Sequence, residues 1–214
     1  MQKNYKKFPL PKIKRLFDIV FSLLLLVIFS PLFIVILALI FIEHIVRGQI
    51  FSPLFYIEER ISQDEPFNLI KFNIFRPELI EKMRESDLLI HTKRLEKNGN
   101  YLLKVGKIIQ KVYLDELPQL FNIFKGDLSM VGPRPTNPEV YQRAIGQGMV
   151  AKAVMKAGLT GIYQSRKGMT NEGQLELDRE YLEFSMNNPA WKILLFDIKI
   201  ILATFRVLFR AKGI

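Results

Sequence analysis

Two adjacent carboxylates and an arginine held between prolines are the groups best equipped for chemistry in this chain. Asp115 and Glu116 lie in the run Leu114-Asp115-Glu116-Leu117-Pro118-Gln119. A proline three places after an aspartate fits the first turn of a helix, with Asp115 at or near its N-cap. An acidic pair there can be purely structural, satisfying loose amides and the helix dipole. The same place keeps a carboxylate ionised, and an ionised aspartate beside a magnesium ion can attack phosphorus to form a mixed acyl phosphate. Further on comes Asp127-Leu128-Ser129-Met130-Val131-Gly132-Pro133-Arg134-Pro135. Two prolines fix the backbone around Arg134 and present a planar fork suited to phosphate oxygens, although a rigid turn with a solvated arginine fits the same pattern. Lys156-Ala157-Gly158-Leu159-Thr160-Gly161 adds another tight loop.

Composition narrows the chemistry further. The chain has 214 residues, no cysteine and two histidines, His44 and His91. Disulfides, thiol nucleophiles, iron–sulfur clusters and multi-histidine metal sites are therefore excluded. A bound metal would be held by carboxylates and would be hard, such as Mg2+. Lysine and arginine total 31 against 21 acids, a net charge of +10. Such a balance points to nucleic acid or to an anionic membrane surface.

The elements that must position these groups begin with a membrane segment. Ile19 to Ile42 runs without a charge, and a helix of that length reaches roughly 36 Å, enough to cross a bilayer core. Ahead of it lie Lys3, Lys6, Lys7, Lys12, Lys14 and Arg15 with no acid, a cluster suited to headgroups. The basic excess is thus mostly membrane-facing, and no nucleic-acid motif accompanies it. Ser30-Pro31 interrupts the run, where proline deletes a helical hydrogen bond and the serine hydroxyl is placed to satisfy the freed carbonyl. A kinked straight span and a helix that turns back both fit that signal. Charge does not separate them, because Arg47 and Arg60 nearly balance Glu43, Glu58 and Glu59.

Beyond it, residues 49–76 read as a hairpin or two extended segments broken at Ser62-Gln63-Asp64-Glu65-Pro66. Helical spacing covers 77–97, and Asn98-Gly99-Asn100 marks a turn. Helices are predicted over 103–112, 115–125 and 139–156, with loops over 126–138 and 156–168. A polar helix then runs through Tyr181. The last helix, from about Ala190 to Arg210, is amphipathic: Lys192, Lys199 and Arg206 share one stripe and Leu195, Ile198, Leu202, Phe205 and Phe209 another. Trp191 at its start suits an interfacial anchor, and a core-packing helix fits the pattern as well.

Taken in order, Lys14-Arg15-x-Phe17-Asp18, Ser30-Pro31, Lys71-Phe72, the run around Asp115, the run around Arg134, Gly158-Leu159-Thr160-Gly161 and Asp197-Ile198-Lys199-Ile200 resemble the bacterial sugar transferase family. These are the monotopic polyprenyl-phosphate phosphoglycosyl transferases, in their minimal catalytic form. The resemblance implies an α+β fold, predominantly helical with a small β element. It implies a re-entrant membrane helix within residues 1–48, with Arg15, Ser30 and Pro31 as its membrane residues. Residues 49–214 would form a catalytic domain, with amphipathic interfacial helices, on the cytoplasmic face of the bacterial inner membrane. The implied reaction moves a sugar-1-phosphate from a nucleotide sugar to polyprenyl phosphate among membrane lipid. Asp115 would be the nucleophile, with Glu116 assisting through magnesium. Lys71 and Arg134 would carry phosphate charge, and Asp197 would be a further polar contributor. Two positions depart from the family pattern. Asn73 stands where Lys-Phe-Arg is usual, and Gln110 stands where an arginine precedes the nucleophile by five places. Arg76 and Lys111 are the neighbours able to compensate, and a catalytically impaired lipid- or partner-binding relative is the alternative reading.

Overall fold

A helix of 35 residues, α1 (Lys12–Val46), is the first element of the chain's described residues. It is found in a computed structural model that describes residues 5–79, 99–166 and 172–209. The helix expected over 77–97 and the turn at Asn98 therefore lie almost wholly outside the described residues. α1 continues through Pro31. The carbonyl that proline leaves without an amide is that of Val27, and the Ser30 hydroxyl donates to it at 2.8 Å. Among the described residues α1 is the one helix long and apolar enough to cross a membrane. Its outward residues confirm that it is no ordinary core helix: Val27 is 64% exposed, Ile34 67% and Val46 80%.

Strands β1 (Phe55–Ser62) and β2 (Glu65–Phe72) form the expected hairpin. Gln63 and Asp64 link them at φ 56° and 63°, the pair of left-handed residues that a two-residue hairpin turn of primed type requires. The rest of the chain is helical with one further pair of short strands. In order come α2 (Lys104–Lys111), a 3-10 turn (Leu114–Glu116), α3 (Gln119–Lys125), β3 (Ser129–Val131), α4 (Pro138–Gly146) and α5 (Val150–Val154). They are followed by β4 (Gly158–Thr160), α6 (Ile162–Ser165), α7 (Gln174–Asn187) and α8 (Ala190–Phe209). The α+β, mostly helical class is as expected.

Three details differ from the sequence reading. The single helix predicted over 139–156 is two, because Gly148 takes φ +85° and the chain turns before α5. The two predicted loops each hold a strand: β3 pairs parallel with β4 in the register Ser129↔Gly158 and Val131↔Thr160. And Asp115 is no helix N-cap, since α3 starts only after Pro118 and the acidic pair occupies the 3-10 turn before it.

Packing divides the chain into two compact units. The smaller comprises Val27–Ile57 and Ile70–Pro118. Its core joins Ile36 and Ile40 of α1 to Phe72, Ile74, Phe75, Leu102, Leu103 and Ile109. Phe33 and Phe55 flank Phe72 with ring centroids 4.6 and 5.9 Å away. The larger comprises Met1–Leu26, Glu58–Leu69 and Gln119–Ile214. There β3, β4 and α8 enclose Leu128, Val131, Ala157, Ile193 and Ile200. The α8 stripe containing Leu195, Leu202 and Phe205 faces outward, and Ile193, Asp197, Ile200 and Ile201 make the buried side.

Candidate active site

In the smaller unit, a chain of close backbone contacts brings one cation to the acidic turn. Leu103 N–H donates to the Ile74 carbonyl at 2.9 Å, and Phe75 bridges Leu102 just beyond the end of β2. α2 then lies so close to this segment that a Cβ on Gly106 would stand 2.6 Å from the Ile74 oxygen. Only glycine permits that approach. Tyr113, at φ +58°, ends the connection from α2 and starts the 3-10 turn. The result sets Lys71, near the end of β2, with its Nζ 3.8 Å from Glu116 Oε1. Lys71 and Asp115 are buried, and the Glu116 side chain is 14% exposed. Three of the expected residues, Lys71, Asp115 and Glu116, thus share one small neighbourhood.

The neighbouring cations divide. Lys111 is exposed at the end of α2, four places before Asp115. Arg76 spends its Nε on the Leu102 carbonyl at 3.2 Å. Asn73 is fully buried: its amide donates to the Pro53 carbonyl at 2.8 Å and its oxygen accepts from Phe75 N–H at 3.2 Å. The departure from the family pattern at Asn73 therefore lies in the core, where the side chain organises backbone. Gln110 is half-buried on α2.

In the larger unit, the segment bearing Arg134 is clamped by its neighbours. Gly132 N–H donates to the Thr160 carbonyl at 2.9 Å, and Gly158 N–H to the Pro133 carbonyl at 3.0 Å. The backbones are nearly touching, since a Cβ on Gly158 would fall 2.1 Å from Gly132 N. Two buried lysines grip the same segment by its carbonyls. Lys14 Nζ donates to Val131 O at 3.0 Å, and Lys152 Nζ to Arg134 O at 2.7 Å. Lys152 also faces Asp178 at 3.7 Å, and burial pushes the Asp178 carboxyl up to about 6 despite that lysine. The Arg134 side chain is half-buried.

Asp197 is 1% exposed and both its oxygens are engaged, one by Lys14 at 2.5 Å and the other by the Tyr181 hydroxyl at 2.6 Å. Burial raises its pKa, with Lys14 pulling the other way. An oxygen anion so placed is a counter-ion to the lysine that holds Val131. Lys14, by the same contact, does not face outward as Lys6, Lys7 and Lys12 do. Arg15 donates to the carbonyls of Ile123 and Phe124 at 2.6 and 2.7 Å, capping the C-terminal end of α3. Sequence reasoning missed Lys152, Asp178 and Tyr181, and it quoted Asp18 without a role; Asp18 is buried and its Oδ1 accepts from Met130 N–H at 3.0 Å. The one signal for Lys152 was a lone cation inside the apolar run Val150–Val154.

The donor set bears on magnesium. Among the described residues no group of three or more potential protein ligands forms. Asp115 and Glu116 offer two neighbouring carboxylates, which fits an ion that keeps waters and takes its other oxygens from substrate phosphates.

The bacterial sugar transferase family profile matches residues 10–211. An uncharacterised sugar transferase of Bacillus subtilis, EpsL, is 34% identical over 205 residues, covering 94% of this chain and 90% of its own length. A UDP-glucose:undecaprenyl-phosphate glucose-1-phosphate transferase of Klebsiella pneumoniae is 33% identical over 89% of this chain and 39% of its own. An undecaprenyl-phosphate galactose phosphotransferase of Salmonella typhimurium is 30% identical over 100% of this chain and 44% of its own. The chain thus spans nearly all of the first relative and about two-fifths of the other two.

Proposed function

The chain belongs to the bacterial sugar transferase family, and on that premise we propose that it transfers a sugar-1-phosphate from a UDP-sugar to polyprenyl phosphate through an aspartyl intermediate. The observation that carries this reading is the buried Asp115 beside Glu116, whose carboxylate faces Lys71 at 3.8 Å. In the first step an Asp115 carboxylate oxygen bonds to the phosphorus that carries the sugar, and the bond from that phosphorus to the departing uridine monophosphate breaks. In the second, an oxygen of polyprenyl phosphate bonds to the same phosphorus and the Asp115 oxygen leaves. The product is a polyprenyl diphosphate sugar, the lipid on which later sugars are assembled. Little proton chemistry is needed, so the residues act by positioning and charge neutralisation. Lys71 orients and neutralises, and Arg134 is the second proposed phosphate partner. Magnesium, when bound by Asp115 and Glu116, would neutralise diphosphate charge. Asp197 contributes indirectly, by holding Lys14 on the backbone that leads to Arg134.

Residues 1–48 are proposed as the re-entrant anchor, with 49–214 at the cytoplasmic face of the inner membrane. An impaired relative is the rival, resting on Asn73 and Gln110. The backbone bonds of Asn73 explain that residue without any loss of catalysis. The test is release of uridine monophosphate from single UDP-sugars by protein in lipid nanodiscs, with intact-mass detection of a sugar-phosphate adduct. Asp115→Asn should abolish both. Undiminished release from the variant would overturn the covalent mechanism.

A further inference from the structure

Arg134 is followed by Pro135, which has no N–H, so no donor on that proline can fix the peptide between them. The Arg134 carbonyl is the handle by which that peptide is oriented, and Lys152 Nζ holds it at 2.7 Å. On either side the segment is fixed by main-chain bonds. Gly158 N–H donates to the Pro133 carbonyl at 3.0 Å, and Ile61 N–H to the Thr136 carbonyl at 2.9 Å. At Arg134 the holding group is a charged side chain.

That side chain is costly to place. Lys152 is 5% exposed, and its neighbours Ala151, Ala153 and Val154 on α5 are buried too. A buried ammonium needs a counter-charge, and Asp178 of α7, itself 4% exposed, supplies it at 3.7 Å. Lys152 is the charged group that faces Asp178 from another element, and on its own helix Gln174 Nε2 donates to it at 3.4 Å. Such a pair adds little to stability, because apolar side chains of similar volume commonly serve as well or better. Its seat on the arginine carbonyl gives it a different use.

We propose that Lys152 is a positioning residue: anchored by Asp178, it sets the peptide after Arg134 and thereby aims the guanidinium at substrate phosphate. This rests on the phosphate-binding reading of Arg134 given above. The Arg134 side chain is half-buried, so the direction of its backbone decides where the planar fork points. A pH dependence accompanies the arrangement. Burial pushes the Asp178 carboxyl up to about 6, so the anchor is charged above that value and neutral below it.

The test is calorimetric binding of UDP, which carries the diphosphate whatever the sugar, to the full chain in lipid nanodiscs with Mg2+. Lys152→Met should raise Kd about ten- to a hundredfold, the worth of one charge-assisted phosphate contact, with the number of sites unchanged. Lys152→Arg keeps the donor and the charge and should recover most of the affinity. Lys152→Met with Asp178→Leu should melt no lower than wild type yet bind UDP as weakly as Lys152→Met. Arg134→Gln should weaken UDP to the same degree, and adding Lys152→Met to it should cost nothing further. From about pH 7 to about pH 5 the wild-type Kd should rise more steeply than that of Asp178→Asn, whose anchor is neutral throughout. Titration of UDP itself is common to both proteins and cancels.

Wild-type affinity in the apolar double variant, or lost sites at unchanged Kd in Lys152→Met, would reveal a purely structural pair and overturn the proposal. The arginine rescue and the cycle with Arg134→Gln decide the matter even if the double variant does not fold. Full affinity in Arg134→Gln would remove the phosphate reading of Arg134 and the proposal with it. Weak binding by Arg134→Gln beside normal binding by Lys152→Met would reject the proposal alone.

Discussion

Asn73 follows Lys71 by two residues, yet the two side chains have opposite tasks. Lys71 faces Glu116, whereas Asn73 is consumed by the Pro53 carbonyl and the Phe75 amide. Asn73→Arg would bury a charge and strip both backbone groups of their partner, at about 1–3 kcal/mol for each group left unsatisfied. The variant should melt far below wild type in detergent and gain no turnover. Gln110→Arg, on a half-buried position, should fold normally and leave turnover level or lower if Lys71 and Lys111 supply the charge proposed for them. A large gain in turnover from Gln110→Arg would show the site to be short of cations. Asp178 makes a different prediction. Its carboxyl ionises near 3.8 in the unfolded chain and near 6 in the fold, so the native state keeps the extra proton between those values. Its effect on stability must then become less favourable as pH rises through that window, by up to about 3 kcal/mol. Asp178→Asn removes this component, and melting temperatures from about pH 4 to pH 6 should fall less for the variant than for wild type. Equal slopes would reject the assignment. The acidic pair, Lys71 and Arg134 were legible in the sequence because motif and residue type announce them. Lys14 and Lys152 were not, since a lysine is buried only by partners such as Asp197 that lie far away along the chain.

At the scale of elements, the part that resisted reading was β3 and β4. Strands of three residues show no period, and Gly132 and Pro133 after β3, with Gly158 opening β4, all signal loop. Their glycines have a packing cause that sequence alone does not display. A Cβ at Gly158 would meet Gly132 N at 2.1 Å and Thr160 O at 2.5 Å, and one at Gly132 would meet Lys156 O at 2.3 Å. These are backbone atoms on both sides, so neither strand can yield without losing the pairing that holds Arg134. Gly158→Ala should therefore lose folded protein or cut thermal stability sharply. Gly146→Ala is the matched control. Nothing stands within 4 Å of a Cβ there, and Gly146 lies within α4, where alanine should be neutral or stabilise by about 0.5–1 kcal/mol. Equal melting temperatures for the two variants would remove the close-approach argument. By contrast, the hairpin and α8 were readable, because alternation and a helical stripe persist for eight residues or more. At the start of α4 the structure adds a cap that the sequence reading, which began this helix at 139, did not use: Asn137 accepts from Val140 N–H with Pro138 at the first turn.

For the molecule as a whole, the proposed topology is a statement about which face of the membrane holds each end. The six cations ahead of the charge-free run Ile19–Ile42 favour the cytoplasmic side for the N-terminus, but the nearly balanced residues 43–60 give the other end of α1 no electrostatic instruction. The proposed re-entrant anchor turns on Ser30-Pro31. Proline weakens the helix at mid-run and creates an unpaired carbonyl that hydrocarbon would penalise by several kcal/mol. The Ser30 hydroxyl meets that carbonyl at 2.8 Å, so a sharp bend there is compatible with lipid. The outward apolar residues of α1, from Val20 to Val46, suit lipid on both sides of Pro31, and the proposed bend would keep them within one leaflet. Single cysteines placed ahead of Lys3 and after Ile214 in the cysteine-free chain should then both react from the cytoplasmic side and resist an impermeant thiol reagent added to intact cells. Pro31→Ala restores the missing amide and removes the ring clash, which should shift part of the population to a straight span with one terminus outside. If the wild-type termini label from opposite faces, the helix crosses the bilayer, and the proposed chemistry of the acidic turn must be reassigned to the other side.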